Sequence, residues 1–179
     1  MADLVDLKSF RKKSLEQRVF GPWKKRFGDV FSIDTRLSDI SDKSLLFLAQ
    51  PGEQSAEAIY ELVLATMGLD PSSGLDTLEK QQQLRVMDIH LFLADLLRFE
   101  MMRRLGWLEP VSCASRPLVE LIAYFDKYKN FCRENPPELC AAHPDQNSYK
   151  SLHERDKEGY IRRLLPGAIE IFKRKIGAS

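Results

Sequence analysis

The stretch MDIHLFLADLLRFEMMRRLGW, residues 87–107, decides the fold. At helical spacing Val86, Ile89, Leu93, Leu96 and Leu97 share one broad face. Met87, Leu91 and Ala94 cover much of a second side, and Phe92 and Phe99 fill a third. A helix that is apolar all round is usually buried all round, so the pattern predicts a central helix wrapped by others. That helix is expected over about 77–105, starting at Asp76 or Thr77, with a length of roughly 40–45 Å at 1.5 Å per residue. Gly106 suits the left-handed position just past its end, where a Cβ would clash, and such an ending brings Met102 against Trp107.

Charged and polar residues interrupt the stretch at Asp88, His90, Asp95, Arg98 and Glu100. Asp88 and Asp95 are seven residues apart and stack on one line, two turns apart. Arg85 stands three before Asp88, and Arg98 three after Asp95, so two Asp–Arg pairs within the helix are expected. Glu100 reaches Arg104 at four residues. The sharper reading makes Asp88, His90 and Asp95 a polar site for a metal or a proton. A di-metal bundle, however, needs Glu-x-x-His motifs, and His90, His143 and His153 have Met87, Cys140 and Lys150 in the place of the Glu. His90, on the side of Val86 and Leu97, reads as a core histidine.

Working outward, the chain is helix after helix. A basic helix is expected over about 3–19, with Gly21 ending it and Pro22 in the first turn of the next. GDVFSIDTRLSDIS offers one strand-like run with no partner strand and reads as loop. Ser41 or Asp42 caps a short helix that Pro51-Gly52 stops, and a helix from about Glu53 to Met67 follows, with Ile59, Leu62, Val63 and Thr66 facing inward. After the central helix, Ser115 and Pro117 start another, carrying Leu118, Leu121, Ile122, Phe125 and Cys132. The last helical region, about 149–176, should kink or split at Pro166-Gly167. With short connections throughout, this predicts an all-α bundle of about six or seven helices in a single domain, 1–179.

The 44% hydrophobic and 30% charged shares belong to a globular chain, and no run of about 20 apolar residues offers a membrane span. The N-terminus lacks a signal peptide's apolar centre, and three widely spaced cysteines, Cys113, Cys132 and Cys140, read as reduced thiols of a cytoplasmic protein. Cys132, Cys140, His143 and His153 could be strung into a zinc set, but the opening pair of close cysteines is missing. A Cys140/His143 nucleophile pair lacks a third orienting group. No glycine-rich phosphate loop or nucleophile elbow occurs, so no cofactor is called for. Residues 41–68 have the outline of a helix-turn-helix, but the second helix carries Glu53, Glu57 and Glu61 and no cation, which phosphate would repel.

Net charge is +1, unevenly spread. Residues 1–26 hold eight Lys or Arg against Asp3, Asp6 and Glu16. Phe10, Phe20, Trp23 and Phe27 are interleaved with these cations, which makes residues 1–28 the main functional candidate. Lys12, Lys13, Trp23, Lys24, Lys25 and Arg26 are the expected contacts with a partner, a protein or a second copy of the chain. The alternatives are nucleic acid or an anionic membrane surface through the same segment, or a small acid/base or metal-dependent enzyme built on the central helix. If the segment only docks, deleting residues 1–28 should leave the domain folded.

Overall fold

A computed structural model describes residues 2–177; Met1, Ala178 and Ser179 of the expected domain lie outside the described residues. It is all-α. The helices are α1 (Ala2–Phe27), α2 (Asp42–Ala49), α3 (Glu53–Thr66), α4 (Lys80–Arg104), α5 (Leu118–Ala123), α6 (Phe125–Glu134), α7 (Gln146–Lys150), α8 (Glu154–Arg163) and α9 (Leu165–Gly177). That is nine among the described residues rather than six or seven, because two expected helices are subdivided. One breaks at Tyr124, whose backbone (φ −112°, ψ 39°) leaves the helical region. The C-terminal region breaks after Lys150 and again at Leu164, two residues ahead of Pro166.

α4 runs through the middle, packed by α2, α3 and α9 and by the 3-10 turns at Leu37–Asp39 and Ser112–Ser115. It starts at Lys80, later than expected, because residues 75–77 form a 3-10 turn. The Gln83 amide braces that turn by donating to the carbonyls of Leu75 and Leu78 at 2.9 and 3.1 Å. Its other end follows the sequence. Gly106 sits at φ 77°, and the Trp107 N–H donates to the Met102 carbonyl at 3.0 Å, the long bond of a Schellman ending.

The expectation that α4 is enclosed on all sides is wrong. Val86, Ile89, Leu93, Leu97 and Met101 are buried, but Leu84, Met87 and Leu91 are 55%, 44% and 58% exposed, and Asp88 is exposed beside them. At 100° per residue these four fall on one stripe opposite the core face. Among the described residues no element covers these side chains in the N-terminal half of the helix.

The expected break at Gly21-Pro22 is also corrected: α1 continues through both as 26 residues, one longer than α4. Pro22 removes one N–H from the helical ladder. Burial of Val19, Phe20 and Trp23 holds the helix on both sides of that gap. The Trp23 indole N–H donates to the Ala58 carbonyl of α3 at 2.8 Å, and Trp23 makes edge contacts with Phe20, Phe27 and Phe31. Phe20 stacks on Phe31, and Phe27 meets Phe47 of α2. Such pairs contribute about 0.5–1.5 kcal/mol each beyond the apolar area they bury. The second half of α1 is therefore part of the one hydrophobic cluster that extends from Val19 to Phe172.

Residues 28–41 form no strand. They run as a loop to the 3-10 turn at Leu37–Asp39, with an isolated bridge between Arg36 and Pro117. Asp29 ties the loop to the start of α2 by accepting from the hydroxyls of Ser41 and Ser44. Arg104 clamps its end, donating to the Leu37 and Ile40 carbonyls at 3.0 and 2.7 Å and to Asp42 at 2.8 Å. Arg104 is held in turn by Glu100, which is 1% exposed and takes a two-point contact from Arg103 at 2.7 and 2.8 Å and a bond from Arg104 at 2.9 Å. Burial alone would raise the Glu100 pKa, but the hydrogen bonds and charges of the two arginines together hold it below the usual carboxylate value. The expected Glu100–Arg104 pair is present and serves the fold.

Candidate functional site

The structure does not bring Asp88, His90 and Asp95 together. On the helical wheel His90 stands about 160° from Asp88, and the fold puts the two on different sides of α4. His90 stacks on Tyr60 of α3, with ring centroids 4.1 Å apart and planes 9° from parallel. Both its ring nitrogens are buried without a hydrogen-bond partner. Burial first, then the Arg98 charge, push its pKa below the ordinary histidine value. A neutral imidazole wedged between two helices and touching no acid is poorly placed to carry protons.

Asp95 faces the opposite way, toward α8. Arg162 reaches it with both terminal nitrogens, at 2.9 and 2.8 Å, and also holds Glu158 at 2.7 Å. The expected intrahelical partner, Arg98, stands 3.7 Å away. Burial raises the Asp95 pKa more than Arg162 and Arg98 lower it. The expected Arg85–Asp88 pair is replaced by a longer reach: Arg85 donates to both oxygens of Asp126 on α6, at 3.1 and 2.8 Å, and lies over the Phe125 ring. Asp88 stays at the surface. Along the Asp88–Asp95 line runs an open groove of about 300 Å³, walled by Leu91, Phe92, Cys132 and Arg162. Of its acids, Asp95 and Glu158 are held by Arg162, and Phe92 packs edge-on against Phe125 at its side.

All three cysteines are free thiols, though two of them are neighbours in space. Cys113, on the 3-10 turn before α5, and Cys132, on α6, lie side by side with their sulfurs 2.7 Å apart. Cys140 is separate, its backbone N–H donating to the Trp107 carbonyl at 2.8 Å. His143 packs edge-on to Trp107, and its Nδ1 accepts from the Asp145 N–H at 3.1 Å. The strung-out zinc set is thus dispersed, and among the described residues no three His, Cys, Asp or Glu are grouped to hold a metal ion.

The basic N-terminal segment divides in two. Val19, Phe20 and Trp23 are in the core, so Trp23, named as a partner contact, is corrected to a core residue with its N–H already bonded. Around this anchor the cations meet acids of the same chain. Arg26 lies 3.8 and 3.4 Å from Glu57 and Glu61 of α3, and Lys24 lies 3.5 Å from Glu16. Two of the glutamates that argued against a helix-turn-helix, Glu57 and Glu61, thus face α1. Lys25 is exposed, with no ion pair among the described residues.

From Leu7 to Arg18 the helix projects from the body, and every residue but the half-buried Glu16 is exposed. Phe10 is 70% exposed, Leu7 52% and Leu15 37%. Five cations, Lys8, Arg11, Lys12, Lys13 and Arg18, face Glu16 alone in this span. Lys12 makes a surface bridge to Asp34 at 3.2 Å, while Lys8, Arg11, Lys13 and Arg18 have no ion pair among the described residues. Sequence reasoning located the basic segment but missed where it leaves the core. The switch from the buried Val19-Phe20-x-x-Trp23 pattern to isolated apolar residues among cations was the available signal.

No protein-family model matches this chain, and no curated protein and no solved structure matches it. Among the described residues, no helix is long and apolar enough to cross a membrane.

Proposed function

We propose that this chain is a cytosolic protein-interaction module whose projecting helix, residues 7–18, docks on an acidic surface of a partner protein. The observation that carries the reading is the exposure of Phe10, Leu7 and Leu15 on a stiff helix that bears four cations without an ion pair among the described residues. A free helical segment of about 12 residues is marginal in water because nucleation is costly. Here the nucleus is supplied by the buried second half, so the projecting half meets a partner already ordered and loses less entropy on binding. Charge complementarity selects the occupant. Where the body covers α1, Arg26 lies against Glu57 and Glu61, and the uncovered cations call for the same chemistry from outside. Apolar side chains set between cations favour a protein surface, where a hydrophobic centre carries affinity and a charged rim gives orientation.

The test compares the native chain with a variant carrying Phe10→Ala and Lys13→Glu. Partners captured by the native chain are purified and titrated against both forms by calorimetry. The expected result is a protein that binds the native chain and binds the variant at least tenfold more weakly, with equal melting temperatures for the two forms. If the purified partners bind both forms equally, or if only duplex nucleic acid or anionic vesicles distinguish them, the reading fails.

A further inference from the structure

The cysteine pair carries a second inference, independent of the docking helix. Cys113 and Cys132 are 19 residues apart in the chain and sit on different elements, yet their sulfurs are in contact at 2.7 Å. Among the described residues neither belongs to a group of three or more His, Cys, Asp or Glu that could hold a metal ion, and Cys140 stands apart from both. The pair is placed between two openings. Cys113 borders a cavity of about 530 Å³ that also exposes Arg116 and Lys127. Cys132 borders the groove along Asp88 and Asp95. Cys113 is 1% exposed and Cys132 half-buried, so a small oxidant reaches Cys113 through the wall of that cavity, past two cations.

We propose that Cys113 and Cys132 form a peroxide-sensitive dithiol, which a hydroperoxide converts to an intramolecular disulfide and a thiol reductant restores. The two sulfurs are not equivalent. Cys113 is the more acidic, because its hydrogen bond with Cys132 and the charge of Arg116 favour its thiolate, and these outweigh the effect of burial. Cys132 is pushed strongly the other way, first by that same hydrogen bond and then by burial. Cys113 is accordingly the attacking thiolate and Cys132 the resolving thiol.

In the first step the Cys113 thiolate attacks one peroxide oxygen. The O–O bond breaks, a sulfenic acid forms, and the other oxygen leaves as hydroxide, or as alkoxide from an organic peroxide, and takes up a proton. In the second step the Cys132 sulfur, giving up its proton, attacks the sulfenic sulfur. An S–S bond forms and hydroxide leaves to become water. Two thiols and one hydrogen peroxide thus give one disulfide and two waters. The bond ties the 3-10 turn at Ser112–Ser115 to α6 and closes a loop that includes α5, which limits the freedom of the unfolded chain.

The experiment treats reduced full-length protein with a slight excess of hydrogen peroxide, then denatures it in excess N-ethylmaleimide and weighs it. The reduced chain takes three labels, one for each cysteine. After peroxide we expect a single label, on Cys140, a non-reducing peptide map joining Cys113 to Cys132, and recovery of all labels after dithiothreitol. The oxidised form should melt about 5–10 °C higher. In Cys132→Ser, dimedone should trap a sulfenic acid at Cys113; in Cys113→Ser, trapping at Cys132 should be at least tenfold slower. Three labels after peroxide, a disulfide through Cys140 or between two chains, or sulfinic acid at either cysteine without a cross-link would each overturn the proposal. The wild-type measurement decides it even if a variant fails to fold.

Discussion

The two halves of α1 share one helix, one basic composition and one aromatic pattern, yet they do opposite work. From Val19 to Phe27 the aromatics point into the core, Trp23 donates to Ala58, and Arg26 lies against glutamates of α3. From Leu7 to Arg18 the same kinds of residue stand in water. A cation beside a phenylalanine is a lid on apolar surface when the body lies beneath it. It stands in water when nothing does. Composition alone could not separate the two, because what differs is which tertiary neighbour is present.

The largest effects should come from the buried half. Trp23→Ala should cost about 3–5 kcal/mol in urea denaturation, since it empties the centre of the aromatic cluster and removes the indole bond to the Ala58 carbonyl. Phe10→Ala, the same kind of truncation on the other half, should stay within about 0.5 kcal/mol of the native chain. Equal costs for the two would erase the distinction.

Next in size is the clamp that holds the loop from α1 to α2. Glu100→Gln leaves two arginines against a neutral amide in a buried position and should cost about 3 kcal/mol. The Glu100 carboxylate titrates below its usual range. Its contribution is therefore complete above the unfolded-state value of about 4.3 and is lost as pH falls through the lower folded-state value. The gap in stability between native chain and variant, measured by urea denaturation at pH 7 and pH 3, should narrow at the lower pH.

The smallest effect expected is at His90. Its folded-state pKa is depressed, so as pH falls the unfolded chain takes up the proton first. Stability should be level above about pH 7 and decline from about 6.5 downward through the folded-state value. His90→Phe keeps a flat ring for Tyr60 to stack on and should show less of that decline between pH 7.5 and 5.5. A parallel decline in both proteins would mean that the imidazole is already charged or solvated in the fold.

Much of the helical plan was legible because it rests on local chemistry. Ser41 caps α2 by accepting from the Ser44 N–H at 3.3 Å, and Pro51-Gly52 separates α2 from α3. Gly106 closes α4 with the expected reversal of the chain. The errors share one cause, which is that tertiary burial overrode a local signal. Pro22 should have broken a helix, and two buried turns of apolar side chains held it. α4 should have been enclosed, but one of its three apolar sides was left without a neighbour. Asp88 amid Leu84, Met87 and Leu91 was a readable sign of that, since an unpaired acid belongs in water. The Asp95–Arg162 contact and the Cys113–Cys132 pair join residues 67 and 19 positions apart, and no periodicity in the chain announces either.

The most direct test of the two-part helix is a pair of truncations followed by urea denaturation, one lacking residues 1–14 and the other residues 1–28. The account predicts that the shorter deletion keeps a single cooperative transition with its midpoint close to that of the full chain. The longer deletion, having lost Val19, Phe20 and Trp23 from the core, should show no cooperative transition. If both truncated chains unfold cooperatively, or if both have lost their fold, α1 is not divided between anchor and exposed arm as described.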